Sequence, residues 1–154
     1  MAETLRTVLA SRSFTAVFTS PLERARRTAE LAGFPDAAVT SLLREYDYGD
    51  YEGLTTDEIH EERPNWELFH DGCPGGETPA DVYARARSFC ELAAGIEGDV
   101  LAFCHGHISR AVTAAFLAWP IELLADFRNL DVGRFGILTE SRRGRLLGYW
   151  NAAE

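Results

Sequence analysis

His105 and Gly106 are the residues in this sequence whose types and position most clearly allow chemistry. They follow an apolar run, Val100 to Cys104, which has the length and character of a buried parallel strand. The segment Ile108 to Leu117 then continues with apolar residues at helical spacing. Ligands of open α/β sheets bind where a strand passes into a helix, because glycine permits close approach and the helix start offers free N–H groups to an anion. We interpret His105 as facing a phosphate group, although a histidine there can also be a half-buried structural residue.

Arg24 and Glu45 have comparable positions. The run Thr15 to Thr19 predicts a short strand, and Ser20 to Glu23 predicts a helix start with a capping box. Arg24 then falls in the first helical turn, where a cation is unfavourable by about 0.5 kcal/mol unless an anion occupies the site. Glu45 follows a strand predicted over Val39 to Leu43. A partly desolvated carboxyl group there could donate a proton near neutrality, although each residue taken alone could be a surface charge.

Composition indicates one soluble domain and limits its partners. The chain has 154 residues, 46% of them hydrophobic, which is enough for a core of its own. Its net charge of −9, with no basic tail or stripe, argues against nucleic acid as a partner but not against a small anion. The longest uncharged apolar run, Ala111 to Ile121, is too short to span a membrane. Three scattered cysteines form neither a zinc pattern nor a disulfide framework, and we expect a cytoplasmic location.

The order of the predicted elements is typical of an α/β fold. Amphipathic spacing predicts helices over residues 2–11 and from Thr78 to about Ala94, and Thr55 with Glu58 predicts a further helix start. Residues 134–139 and 145–150 predict a C-terminal hairpin. The pair His105 and His107 could suggest a metal site, but no acidic residue at ligand spacing accompanies it, so we expect no metal.

Three segments in this order resemble the histidine phosphatase, or phosphoglycerate mutase-like, superfamily: Thr19 to Ala29, Leu43 to Gly53, and Cys104 to Arg110. The segment Trp66 to Glu77 is most similar to the sugar-bisphosphatase and acid-phosphatase branch. The resemblance extends from near residue 5 to Asn151. It implies a single domain over residues 1–154 with three layers, in which helices cover both faces of a mostly parallel sheet.

The resemblance also implies roles for individual residues. Arg24 would bind phosphate, and the Gly106 N–H would hold one of its oxygens. Glu45 would be the general acid that protonates the leaving alkoxide, and His105 would stabilise charge on the transferring phosphoryl group. No cofactor is implied, since phosphoryl transfer requires mainly positioned positive charge. The expected ligand is a small phosphorylated metabolite or inorganic phosphate, and phosphatase and mutase share these residues.

The nucleophile of the family is absent from this sequence. In the family it is a histidine in an Arg-His-Gly motif at the end of a first strand, beside a phosphate-binding arginine, whereas here residues 2–11 already correspond to the helix that follows. The sequence therefore predicts a domain truncated at its N-terminus, which would be either a phosphatase with little activity of its own or a non-catalytic module that binds phosphate esters or a partner. Because that strand is internal to the sheet in the family, we expect either a gap with exposed strand edges that another chain fills, by homodimerisation or swapping, or a rearranged sheet.

Overall fold

Helices cover a small parallel sheet in the computed structural model, which describes residues 2–152. The strands are β1 Ala16–Thr19, β2 Ala38–Val39, β3 Val100–Phe103, β4 Phe135–Ser141 and β5 Gly144–Ala152. The α-helices are α1 Ala2–Leu9, α2 Glu23–Leu31, α3 Thr56–Glu62, α4 Leu68–Asp71, α5 Pro79–Ala94 and α6 Gly106–Leu117. Short 3₁₀ turns lie at Ser41–Leu43, Gly49–Tyr51 and Ile121–Ala125. No helix among these described residues is long and apolar enough to cross a membrane.

The parallel sheet has the strand order β2-β1-β3. Its register pairs Thr19 with Phe103, so the chain leaves β1 and β3 at the same edge of the sheet. The residues that follow, Ser20 on one side and Cys104 and His105 on the other, are neighbours for this reason alone. The backbone N–H of Ser20 donates to the carbonyl of Phe103 over 2.9 Å, which extends the pairing into the turn.

Two apolar layers lie on opposite faces of this sheet, because successive side chains of a strand point in opposite directions. On one face, α1 and α2 bury Leu5, Leu9 and Ala29 against Phe103. On the other face, the Phe18 ring meets Phe89 of α5 edge-to-face with centroids 5.8 Å apart. Helix α6 packs beside α5 and buries Ile108, Ala111 and Ala114. The three-layer α/β fold predicted from the sequence is confirmed.

The sheet is interrupted next to β3. Among the described residues β3 pairs only with β1, and the β4–β5 hairpin forms a separate two-stranded antiparallel sheet. Strand β3 has the sequence Val-Leu-Ala-Phe, which is typical of a strand buried on all sides, yet only Phe103 is fully buried. The hairpin approaches this region through Phe135, which packs against the α1–α2 side of the core. The expected gap is therefore present between β3 and the hairpin.

Two local predictions are wrong. Helix α2 has Leu22 as its N-cap and no side-chain cap, because the Ser20 hydroxyl lies before the helix and accepts the Leu22 N–H over 3.3 Å. The strand predicted over Val39 to Leu43 ends at Val39. There the Thr40 hydroxyl accepts the Leu42 N–H and turns the chain into a 3₁₀ turn. The predicted capping box of Thr55 with Glu58, by contrast, is confirmed.

Candidate active site

His105 is the N-cap of α6 and has a partner at each ring nitrogen. Arg24 Nε donates to Nδ1 over 3.0 Å, and Nε2 lies 2.7 Å from the Ser20 hydroxyl oxygen. A guanidinium group can only donate, so Nδ1 must be the acceptor and the ring proton belongs on Nε2. The imidazole therefore donates to Ser20, and its tautomer and orientation are both fixed. Ser20 lies between β1 and α2 and is fully buried, so its hydroxyl is a fixed acceptor for the His105 ring.

The charge state of His105 follows from its surroundings. Burial lowers the pKa of His105 below its usual value, the Glu45 carboxylate opposes this effect, and the Arg24 guanidinium lowers the pKa further. The imidazole is therefore neutral at pH 7 when no anion is bound. A phosphate dianion beside it would favour the protonated form, since opposite charges at short range stabilise each other.

Glu45 lies at the same end of α6. Its carboxylate accepts N–H groups from Tyr46 over 3.0 Å, from His107 over 3.3 Å and from Ile108 over 3.0 Å. Two of these donors belong to the first turn of α6, where a negative charge is favourable because N–H groups lack carbonyl partners. Gly106 is the first residue of that helix, so its own N–H likewise has no carbonyl one turn earlier. The helix start thus orients Glu45 and offers a donor to an anion.

The four residues predicted from the sequence are brought together by three elements. Arg24 projects from the first turn of α2, His105 and Gly106 begin α6, and Glu45 follows the turn after β2. Arg24 is exposed, whereas Glu45 and His105 are half-buried. One guanidinium, one imidazole and one carboxylate at a helix N-terminus can bind a tetrahedral anion and exchange a proton with its ester oxygen.

His107 has a different environment from His105. Its Nδ1 lies 2.6 Å from the Tyr48 hydroxyl, and its ring is packed against Tyr48 and Phe69. Burial lowers the pKa of His107, with Arg110 acting in the same direction and Glu45 opposing. No group of three or more potential metal ligands is found among residues 2–152.

A partly buried ion pair holds the loop that carries Glu45. This pair was not predicted from the sequence. Arg85 Nε and Nη2 donate to the two oxygens of Glu77 over 2.8 and 2.7 Å. Arg85 Nη1 also donates to the carbonyls of Leu42 and Arg44, over 3.1 and 2.6 Å. Glu77 accepts the Asp47 N–H over 3.0 Å. The pair therefore fixes the backbone on both sides of Glu45. The sequence did point to Glu77, because this residue ends the Pro-Gly-Gly-Glu run of the segment that resembles the phosphatase branch.

Fold and site together define an α/β protein in which a guanidinium group, an imidazole and helix N–H groups lie at the carboxyl ends of parallel strands, where ligands of such folds bind. The sequence matches the family described as the histidine phosphatase superfamily (branch 1) over residues 1–153. The chain belongs to that superfamily.

Curated relatives are phosphatases and a phosphoglycerate mutase. An acid phosphatase of Mycobacterium tuberculosis is 47% identical over 107 residues, which cover 68% of this chain and 53% of the relative. A sedoheptulose 1,7-bisphosphatase of Saccharomyces cerevisiae is 33% identical over 137 residues, covering 71% of this chain and 50% of the relative. The chain thus spans about half the length of the curated relatives it matches.

Solved structures are similar over nearly the whole chain. The product of an open reading frame of Mycobacterium tuberculosis superposes with a TM-score of 0.92 at 38% identity, covering 97% of this chain and 79% of that one. A mycobacterial glucosyl-3-phosphoglycerate phosphatase in complex with inorganic phosphate gives a TM-score of 0.83 at 26% identity, with 98% of this chain and 83% of that one covered.

Proposed function

We propose that this chain carries the phosphate-binding and acid–base half of a phosphomonoester hydrolase that acts through a phosphohistidine. The observation that supports the proposal is the convergence of Arg24, Glu45 and His105 at the N-terminus of α6. The names of the relatives, an acid phosphatase and a sugar bisphosphatase, favour a small phosphorylated metabolite as the substrate.

The proposed reaction has two steps, both served by positioned charge. A histidine nitrogen attacks phosphorus, the P–O bond to the ester oxygen breaks, and Glu45 gives its proton to the departing alkoxide. Water, deprotonated by Glu45, then attacks phosphorus, the P–N bond breaks, and inorganic phosphate leaves. Arg24 retains its terminal guanidinium N–H groups for the phosphoryl oxygens because only Nε is engaged by His105. His105 and the Gly106 N–H hold the remaining charge, and the chemistry calls for no cofactor.

The nucleophile is proposed to come from a strand that pairs with the free edge of β3 and ends beside His105. The 154-residue chain offers poor substitutes. Burial raises the pKa of Cys73 and Cys90 to about 11, so both remain thiols at neutral pH. Both nitrogens of His105 are already hydrogen-bonded. We therefore expect little or no turnover from this chain by itself. If turnover is found, His105 is the first residue to test as the nucleophile.

Hydrolysis of 4-nitrophenyl phosphate tests the proposal. The 154-residue chain is compared with one extended at its N-terminus by an apolar strand ending in Arg-His-Gly. We expect turnover only from the extended chain, and losses of about 100-fold or more for Glu45→Gln and for His105→Ala. Glu91→Gln, an exposed change on α5, is the matched control. Equal rates with and without the extension would refute the missing nucleophile, and an unchanged rate in Glu45→Gln would refute its acid role.

The second candidate function is a non-catalytic module that binds phosphate esters. It is favoured by the same cluster, since Arg24 and His105 are in place without a nucleophile. Calorimetry with inorganic phosphate should show binding that Arg24→Met abolishes, and absence of heat from the unmodified chain would count against both candidates. A mutase is the remote third candidate. Transfer of phosphate between two positions of one sugar acid would reveal this activity.

We also propose that a second copy of the chain covers the open edge of β3, giving a homodimer in the cytoplasm. The unpaired edge supports the dimer, because exposed strand edges attract further strands. The three free cysteines support a reducing compartment. Light scattering after size exclusion gives the mass directly, and a monomer at all concentrations would rule out the dimer.

A further inference from the structure

The Asn129 side chain lies beside the start of helix α6, and the reaction proposed above does not use it. A Cβ atom built on Gly106 would lie 3.6, 3.7 and 3.8 Å from the Cγ, Oδ1 and Nδ2 atoms of Asn129, so the amide is one methyl group away from the glycine backbone. Because the Cα–Cβ bonds of a helix tilt towards its N-terminus, the amide lies on the side of Gly106 where the helix N–H groups are free. It is therefore next to the phosphate site.

The orientation of this amide is set by Arg110, which lies one helical turn further along α6. Arg110 Nη1 donates to Asn129 Oδ1 over 3.2 Å. A guanidinium group can only donate, so the accepting atom is the amide oxygen and the NH₂ group is on the other branch. Nδ2 of Asn129 has no hydrogen-bond partner within residues 2–152. Its protons are therefore available to a ligand.

Arg110 is better suited to holding Asn129 than to binding a ligand itself. It is buried, with 6% of the residue exposed, and its guanidinium carbon lies 4.5 Å from the centroid of the Phe69 ring. Burial lowers the pKa of Arg110, and the Glu67 carboxylate opposes this effect. The charge of Arg110 is thus balanced by a neighbour within the protein. Its guanidinium group is a rigid support on the same helix that carries Gly106.

The backbone on both sides of Asn129 is held by the end of β5. Trp150 Nε1 donates to the carbonyl of Arg128 over 2.8 Å. Asn151 Oδ1 accepts the Asp131 N–H over 2.8 Å, and Asn151 Nδ2 donates to Asp131 Oδ2 over 2.9 Å. Asn129 is therefore fixed in position without a ligand, and this reduces the entropy that ordering it on binding would cost.

We propose that Asn129 is a further phosphate-binding residue and that Arg110 is the positioning residue that orients it. The Asn129 NH₂ group donates to an oxygen of the anion beside the Gly106 N–H. The inference rests on the proposed function, which supplies the phosphate at this helix start. Because the amide is neutral, its contribution to affinity should change little with ionic strength, whereas the contribution of Arg24 should decrease with added salt.

Calorimetry of the full chain with inorganic phosphate tests the inference. Asn129→Asp keeps an oxygen for Arg110 but replaces the NH₂ donor by a negative charge, so phosphate affinity should fall by about 100-fold or more while the unfolding free energy in urea does not decrease. Asn129→Ala should weaken binding by about 10-fold, at low and high salt alike. Asn65→Asp makes the same change at an exposed position and, as the matched control, should keep full affinity.

The role of Arg110 is tested by a double-mutant cycle. Arg110→Met should reproduce the loss of Asn129→Ala, and the double variant should bind no more weakly than either single variant, because both changes remove the same contact with phosphate. Losses that add would refute the positioning role of Arg110.

The side-chain NH₂ signal of Asn129 in ¹⁵N NMR spectra provides a readout from the unmodified chain, which decides the case if Arg110→Met fails to fold. The signal is assigned by its absence from Asn129→Asp, and it should shift on adding phosphate. Full phosphate affinity in Asn129→Asp, or an unmoved signal at saturating phosphate, would overturn the role of Asn129 and leave the proposed function intact. Absence of phosphate binding by the unmodified chain would overturn both.

Discussion

Removing Arg85 is the change that most directly tests how the candidate site is held in place. The Arg85 guanidinium makes two bonds to Glu77 and two to the carbonyls of Leu42 and Arg44, which precede Glu45. The Arg85→Met variant keeps the apolar stem but removes all four bonds. It also leaves Glu77 without its cation in a place where its side chain is only 20% exposed.

The expected cost can be worked out from these contacts. Breaking a fully buried pair by removing one partner costs about 3–5 kcal/mol, because the remaining charge is uncompensated. Since side-chain exposures of 16% and 20% let water reach both groups, we expect a cost somewhat below that range, about 2–3 kcal/mol of unfolding free energy. For a chain of this length that corresponds to a decrease in Tm of about 4–12 °C.

Urea unfolding monitored by circular dichroism measures the effect, with Arg87→Met as the control on the same helix. Arg87 pairs with Glu91, but the two side chains are 62% and 69% exposed. The control should therefore cost less than about 0.5 kcal/mol. A double-mutant cycle of Arg85→Met with Glu77→Gln should show a coupling of about 1–2 kcal/mol. If Arg85→Met and Arg87→Met were equally stable, the claim that this ion pair fixes the Glu45 loop would be wrong.

Three further predictions concern pH and backbone geometry. Burial lowers the pKa values of His105 and His107 on folding, so the unfolded chain binds more protons below about pH 6.5. The unfolding free energy should therefore be full above that pH and decrease as the pH falls below it, and His107→Asn should flatten this dependence in urea titrations. Phosphate binding at pH 7 should be accompanied by proton uptake at His105, because a bound anion favours the charged imidazole. The heat of binding measured by calorimetry should then vary with the ionisation enthalpy of the buffer. Equal heats of binding in buffers of different ionisation enthalpy would contradict the prediction. Gly49→Ala should cost about 2–3 kcal/mol because φ is +52° and a Cβ would collide with the Gly76 backbone, whereas Gly53→Ala, at φ +84° with open space around it, should cost only about 1 kcal/mol by the same unfolding assay.

The sequence reveals those parts of the site that depend on order along the chain. Arg24 and His105 follow β1 and β3, and the carboxyl ends of parallel strands share one edge, so the proximity of these two residues can be predicted without coordinates. The strand predicted before Glu45 ends at Val39, so the position of Glu45 depends also on the 3₁₀ turn Ser41–Leu43. Partnerships between distant side chains leave no such pattern. Ser20 looks like a helix cap from its neighbours, yet its hydroxyl bonds to His105, eighty-five positions away. Arg85 looks like a surface residue of α5 because its pairing with Glu77 depends on the path of an irregular loop.

Under the proposed function, the interrupted sheet should separate phosphate binding from turnover. Every element that positions Arg24, Glu45 and His105 lies on one side of the gap: β1 and β3 set the edge, α2 and α6 begin there, and the loop after β2 is tied to α5. Filling the gap adds a strand beside β3 and changes none of these contacts. Phosphate should therefore bind with and without the added Arg-His-Gly strand, more tightly with it because the strand brings a further arginine, whereas the hydrolysis rate should depend on the strand entirely. Absence of phosphate binding without the strand would show instead that the gap distorts the phosphate-binding half as well.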